Sequence, residues 1–113
     1  MDAARKKELK AAYANRHPEM GIVAWCAGDR MWIARSKDVR ADYNGTSFQL
    51  ELGSWPERDM QRAYKAAPDA FEWRVLRTLD YEDPSDVDDD LELLLMECMD
   101  EHPEAKPMRP GRR

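Results

Sequence analysis

A chain of 113 residues with a formal net charge of −5 is long enough for one domain with a modest core and too short for two. Apolar residues make up 42% and charged residues 36%, and no apolar run approaches the roughly 20 residues needed to cross a bilayer. The first stretch, MDAARKKELKAAYANRHPEM, is highly charged and lacks the apolar centre of a signal peptide, so a cytoplasmic location without membrane attachment is expected.

Residues 3–14 are strong helix formers with Leu9, Ala12 and Tyr13 on one stripe, and Pro18 ends the segment. A surface helix is expected there. The stretch GIVAWCAGDRMWIARS, from Gly21 to Ser36, reads as a β-hairpin: Gly28-Asp29 fits a two-residue type II′ turn, with glycine supplying the positive φ. That register places Trp25 opposite Trp32 and Val23 opposite Ala34. Ile22, Ala24 and Cys26 point to one side and Val23, Trp25 and Ala27 to the other, so the strand is apolar on both faces and needs cover on both.

Ser36 is a candidate N-cap for a helix carrying Val39, Tyr43 and Leu50, which Asn44-Gly45 should weaken or bend and Gly53 should stop. Ser54-Trp55-Pro56-Glu57 has the pattern of a capping box opening a second helix with Met60, Ala63, Tyr64 and Ala67 on its apolar stripe. Phe71, Trp73 and Val75 alternate with Glu72 and Arg74, predicting a strand that runs to Leu79. Pro84-Ser85-Asp86 opens a last helix with Leu91, Leu94, Leu95 and Cys98 on one face. The expected architecture is an α/β (α+β) domain over residues 1–101, its core at about 20–101: a small three-stranded antiparallel sheet flanked by helices, with an extra N-terminal helix. Residues 102–113, with three prolines and no apolar periodicity, read as a flexible tail.

Charge is unevenly distributed. Residues 1–66 hold twelve Lys/Arg against nine Asp/Glu, whereas residues 80–101 hold eleven acidic residues and no basic one. Nucleic acid, which is bound through Lys and Arg, is therefore expected only on the N-terminal half, and residues 80–101 are a candidate surface for a protein partner. Asp86, Asp88, Asp89 and Asp90 suit a solvated helix start, where the helix dipole favours negative charge, and lack the spaced ligands of a calcium loop. Cys26 and Cys98 are too far apart for a metal-binding pair and read as buried thiols, and His17 and His102 are isolated beside prolines. Arg30, Arg35, Lys37 and Arg40 form a small basic group around the hairpin and first helix, a candidate for phosphate contacts.

The order hairpin, two helices, third strand, helix resembles the GIY-YIG nuclease family. Gly21-Ile22-Val23 sits where that family has GIY, and Trp32-Ile33-Ala34 where it has YIG. Phe48-Gln49-Leu50-Glu51-Leu52-Gly53-Ser54 resembles the end of its first helix, Asp59-Met60-Gln61-Arg62-Ala63-Tyr64 its second helix, and Ala70-Phe71-Glu72-Trp73-Arg74-Val75-Leu76 its third strand. The resemblance covers about residues 7–79 and implies metal-dependent hydrolysis of one DNA strand at a time, with a tyrosine or a water it orients as activator, an arginine at the phosphate and a glutamate on Mg²⁺ or Mn²⁺.

The reactive groups are replaced. Val23 has no heteroatom at the GIY tyrosine, and the indole of Trp32 at the YIG tyrosine can only donate. The arginine position falls on Asp42, which reverses the charge, and two histidine positions fall on Thr46 and Trp55. Arg40, two residues before Asp42, lies on nearly the opposite helix face. The metal-binding glutamate that the resemblance implies falls near Met96 or Glu97, which makes Glu97 the candidate metal ligand. The sequence thus points to a domain with a degenerate active site that acts as a binding or interaction module, needing no cofactor. The alternatives are an endonuclease rebuilt around Glu97, which would require Mg²⁺ or Mn²⁺, and an acidic protein-binding partner.

Overall fold

The computed structural model describes residues 18–83 and 87–108. The helix expected at residues 3–14 and the opening Pro84-Ser85-Asp86 of the last helix lie outside the described residues. In chain order come β1 (Met20–Ala27), β2 (Arg30–Ser36), α1 (Val39–Leu52), α2 (Arg58–Ala66), a short 3₁₀ turn (Pro68–Ala70), β3 (Phe71–Leu79), α3 (Asp88–Glu101) and β4 (Lys106–Pro107).

The hairpin has the expected register, with Trp25 opposite Trp32 and Val23 opposite Ala34. Gly28 has φ 64°, the value the first position of a type II′ turn requires. β1 is an inner strand. It pairs antiparallel with β2 on one side and with β3 on the other. Its two faces are buried under different layers: Val23 and Trp25 pack with Val39, Leu50, Trp55 and Met60 of the α1–α2 region, while Ile22 packs with Cys98 of α3 and Met20 with Leu91. Both cysteines are buried and unbridged.

The β1–β3 ladder carries a bulge, because Ile22 pairs with Arg77 and Val23 with Val75, leaving Leu76 as the extra residue. The bulge shifts the strand's parity, so that Leu76 and Leu79, three residues apart, both pack on the α3 side. Gly21 lies at the same place. A Cβ there would come within 2.0 Å of the Arg77 carbonyl oxygen, so only glycine permits this approach of β1 to β3.

Several expectations are corrected. The sheet has four strands, not three, and is mixed: the order is β3-β1-β2-β4, with β4 parallel to β2. β4 escapes sequence patterning because two residues cannot show a period. It also contains a proline, which is tolerated because β4 is an edge. Residues 102–108, expected as part of a flexible tail, instead turn back to the sheet; the Met108 amide donates to the Ile33 carbonyl at 2.9 Å and Met108 is buried against the α1–α2 side.

Helix ends differ as well. α1 is capped by Asp38, whose carboxylate accepts from the Ala41 amide at 3.0 Å, rather than by Ser36, whose hydroxyl accepts from the Asp38 amide. Asn44-Gly45 leaves α1 uninterrupted. Gly53 ends it in the left-handed conformation with φ 80°, and the Gly53 and Ser54 amides bond back to Leu50 and Gln49. The capping box at Ser54 does not form: α2 starts only at Arg58, after Glu57, and Glu57 makes no side-chain cap. The loop is held by Gln61, which accepts from the Trp55 amide at 2.9 Å and donates to the Leu50 carbonyl at 3.0 Å.

Gly21→Ala is expected to cost about 2–3 kcal/mol, the range for forcing an extra carbon into a packed site, read as a lowered urea midpoint without loss of cooperativity. A variant as stable as the parent would show that β1 and β3 can separate freely.

Candidate functional site

The positions singled out on the hairpin are core. Val23 and Trp32 are each only 1% exposed, Ile22 and Ile33 fully buried, and Gly21 and Ala34 buried with them. The Trp32 ring stacks on Phe71, centroids 5.7 Å apart and planes at 12°, and Tyr64 meets Phe71 edge-on. Aromatic packing therefore covers one side of Trp32, while Asp29, Arg30, Met31, Glu104 and Lys106 line a small cavity of about 140 Å³ beside it. Its indole N–H donates to the Asp59 carboxylate at 3.3 Å, and the Lys106 ammonium reaches the same oxygen at 3.2 Å. One carboxylate of α2 thus ties the buried hairpin ring to β4.

Asp42 is 2% exposed in the first turn of α1 and accepts a hydrogen bond from the Ser36 hydroxyl. The serine joins the last residue of β2 to the helix that follows. Thr46 and Trp55 are buried too. At none of these positions does a basic or proton-accepting group face solvent.

The basic group around the hairpin is divided by the fold. Arg35 pairs with Glu92 at 3.0 Å and Lys37 with Asp88 at 2.6 Å, both on α3. Arg30 and Arg40 are exposed; Arg40 borders a groove with Glu19, Val39, Tyr43 and Trp73. The acidic segment is partly neutralised by the same contacts, since Arg77 also grips Glu101 at 2.8 Å. Asp89 and Asp90 are exposed in the first turn of α3, and Asp86 lies outside the described residues.

Glu97 is exposed on α3, which covers the sheet face opposite Val23 and Trp32. Among the described residues no group of three or more His, Cys, Asp or Glu is placed to hold a metal ion. The donor set does not fit Mg²⁺ or Mn²⁺ held in the manner the resemblance implies, because hard cations need several converging oxygens. His102 lies 3.7 Å from Glu104, and His17 is outside the described residues. Burial raises the thiol pKa of both Cys26 and Cys98, which suits inert core residues. No helix among the described residues is long and apolar enough to cross a membrane.

The molecule is similar in fold to the catalytic domain of the homing endonuclease I-TevI, with a TM-score of 0.65 and 17% identity over 80% of this chain and 98% of that one. The fold is GIY-YIG-like. At that identity the likeness concerns the fold alone. No family model and no curated protein sequence matches the chain.

Within this GIY-YIG-like frame one feature escaped sequence reading. Arg58, Arg62 and Lys65, all exposed on α2, line a groove of about 420 Å³ with Gly53, Ser54, Trp55, Pro56 and Gln61. Their spacing of four and three residues on one helix was the available signal. Reading it required knowing which cations the acidic residues take up.

Burial pushes the Asp59 carboxyl up, but hydrogen bonds from Lys106, Trp32 and the Met60 amide outweigh it, so its pKa lies below the usual carboxylate range. A depressed folded-state pKa gives stability above the unfolded value of about 3.9 that is lost as pH falls through the folded one. Asp59→Asn is therefore expected to lower stability at neutral pH by less than about 1 kcal/mol, given the exposure of the pair, and to leave acid unfolding below pH about 4 less steep. Parallel urea titrations across pH check this; an unchanged acid limb would remove Asp59 as the tie.

Proposed function

We propose that this domain is a nucleic-acid-binding module that keeps the GIY-YIG shape without a hydrolytic centre. The observation that carries the reading is the burial of Val23, Trp32 and Asp42 at the three positions where the resemblance implies two tyrosines and an arginine. Cleavage by that route needs a proton acceptor beside the attacking water and positive charge at the phosphate. Valine offers no heteroatom, and an indole N–H is only a donor, which Trp32 already gives to Asp59. Asp42 would repel the phosphate it is meant to steady. Glu97, on the far side of the sheet, belongs to no cluster of metal-ligating groups among the described residues.

Support for nucleic acid as the ligand comes from the likeness in fold to an endonuclease domain and from the separation of charge across the sheet. α3 carries the acidic surface on one side, while the cations of α2 lie on the other.

The reading is tested with supercoiled plasmid, purified protein in excess, and Mg²⁺ or Mn²⁺. Retarded migration without nicking is the expected outcome, for the parent and for Glu97→Ala alike. Nicking by the parent that disappears in Glu97→Ala would overturn it in favour of an endonuclease rebuilt around that glutamate.

A further inference from the structure

We infer that the groove between the α1–α2 turn and α2 is the phosphate-backbone site of this domain, with Arg58, Arg62 and Lys65 as its contacts. This rests on the nucleic-acid reading above and deepens it by locating the surface.

Three observations converge on the groove. The first is its unspent charge. In an acidic chain whose Arg35, Lys37, Arg74, Arg77 and Lys106 are all drawn into ion pairs, Arg58, Arg62 and Lys65 have no acidic partner among the described residues. Three like charges gathered along one groove repel one another, and a bound anion relieves that repulsion. The second is a fixed wall: Trp55, 4% exposed, is packed into the core with Val39, Leu50 and Met60. The third is rigidity: Gln61 bonds to both the Trp55 amide and the Leu50 carbonyl, so the wall and the helix carrying the cations are fixed to each other.

The spacing favours a strand over an isolated phosphate. Seven residues of α-helix advance roughly 10 Å, so the three cations extend over about the axial length of three nucleotides at roughly 3.4 Å each. Arginine can grip a phosphate with two N–H donors, whereas lysine supplies a flexible point charge. Contacts to the phosphate backbone carry no sequence information. Binding is therefore set by charge and is indifferent to sequence.

The experiment is fluorescence anisotropy of a labelled duplex of about 20 base pairs, titrated at several salt concentrations from about 50 mM upward, where each phosphate contact contributes about 0.9 to the slope of log affinity against log salt. Replacing Arg58, Arg62 and Lys65 together by Gln should weaken binding at least about tenfold and flatten the slope by roughly 2–3. Arg58→Lys with Arg62→Lys keeps the charge and should keep the slope. Arg74→Gln, at an exposed arginine outside the groove that is paired with Glu72, should bind like the parent. Matching thermal midpoints confirm that these exposed substitutions leave the fold intact.

A triple variant that binds like the parent overturns the assignment of the groove and leaves the nucleic-acid reading standing. A parent that fails to bind the duplex even at low salt overturns both. Displacement of the duplex by millimolar inorganic phosphate at constant ionic strength would overturn the strand in favour of a site for one phosphate group.

Discussion

The burial of β1 on both faces is the constraint from which the rest of this structure follows. A strand paired on both edges and covered above and below can carry only groups that need no water. Ile22, Val23 and Ala24 are all essentially inaccessible. At position 23 this decides between two uses of one side chain. A hydroxyl there would cost about 1–3 kcal/mol if it found no partner, whereas valine adds apolar burial of the order that stabilises a core. The valine therefore fits the packing, where a hydroxyl would need a buried partner. Trp32, directly across from Trp25, follows the same logic at larger scale: its ring extends the apolar layer to Phe71, and its single polar atom is directed to Asp59.

Asp42 shows a different solution. A buried carboxylate is expensive unless hydrogen bonds satisfy it, and here it accepts from Ser36 while sitting in the first turn of a helix, where the dipole favours negative charge. Asp38 caps the same turn. Together with the Ser36 hydroxyl, which also receives the Asp38 amide, they form a polar joint between the end of β2 and the start of α1. An arginine in this place would meet Asp38 and Ser36 at a helix start whose dipole disfavours a cation. The local backbone is thus suited to the acid that occupies it.

How much of this was legible in the sequence depends on how local each cause is. The hairpin turn, its register and the extent of β3 follow from short-range rules, alternation and a glycine-first turn, and they match the structure. The helix caps were harder, because Ser36 and Asp38 both have capping side chains, and only the path of the chain out of β2 selects the aspartate. Ser54-Trp55-Pro56-Glu57 satisfies the capping pattern but gives way to Gln61, whose contacts with Trp55 and Leu50 are tertiary. β4 has two residues and no pattern of its own; it exists because Ile33 offers a carbonyl at the sheet edge and Asp59 offers a partner for Lys106. At the candidate site, the identity of the replaced groups was readable residue by residue. The burial of Val23 followed from a strand apolar on both faces, whereas that of Asp42 did not, since it depends on how α1 packs against the sheet.

Net charge is a poor guide to what this surface attracts. The acidic helix α3 and the cations of α2 lie on opposite faces of the sheet, separated by packed layers that place them on the order of 20 Å apart. At physiological ionic strength the screening length is about 8 Å, so the acidic face contributes little to the potential over the α2 groove. Moreover, α3 spends part of its charge on Arg35, Lys37 and Arg77, residues drawn from the sheet and its margins. Those pairs help seat α3 on the sheet. They also remove from the surface the very cations that the hairpin would otherwise present. Among the described residues Arg58, Arg62 and Lys65 stay out of these pairs and share a single groove on the other side, while Arg30 and Arg40 are exposed elsewhere. The same helix that covers one face of β1 thereby determines where positive charge is left to act.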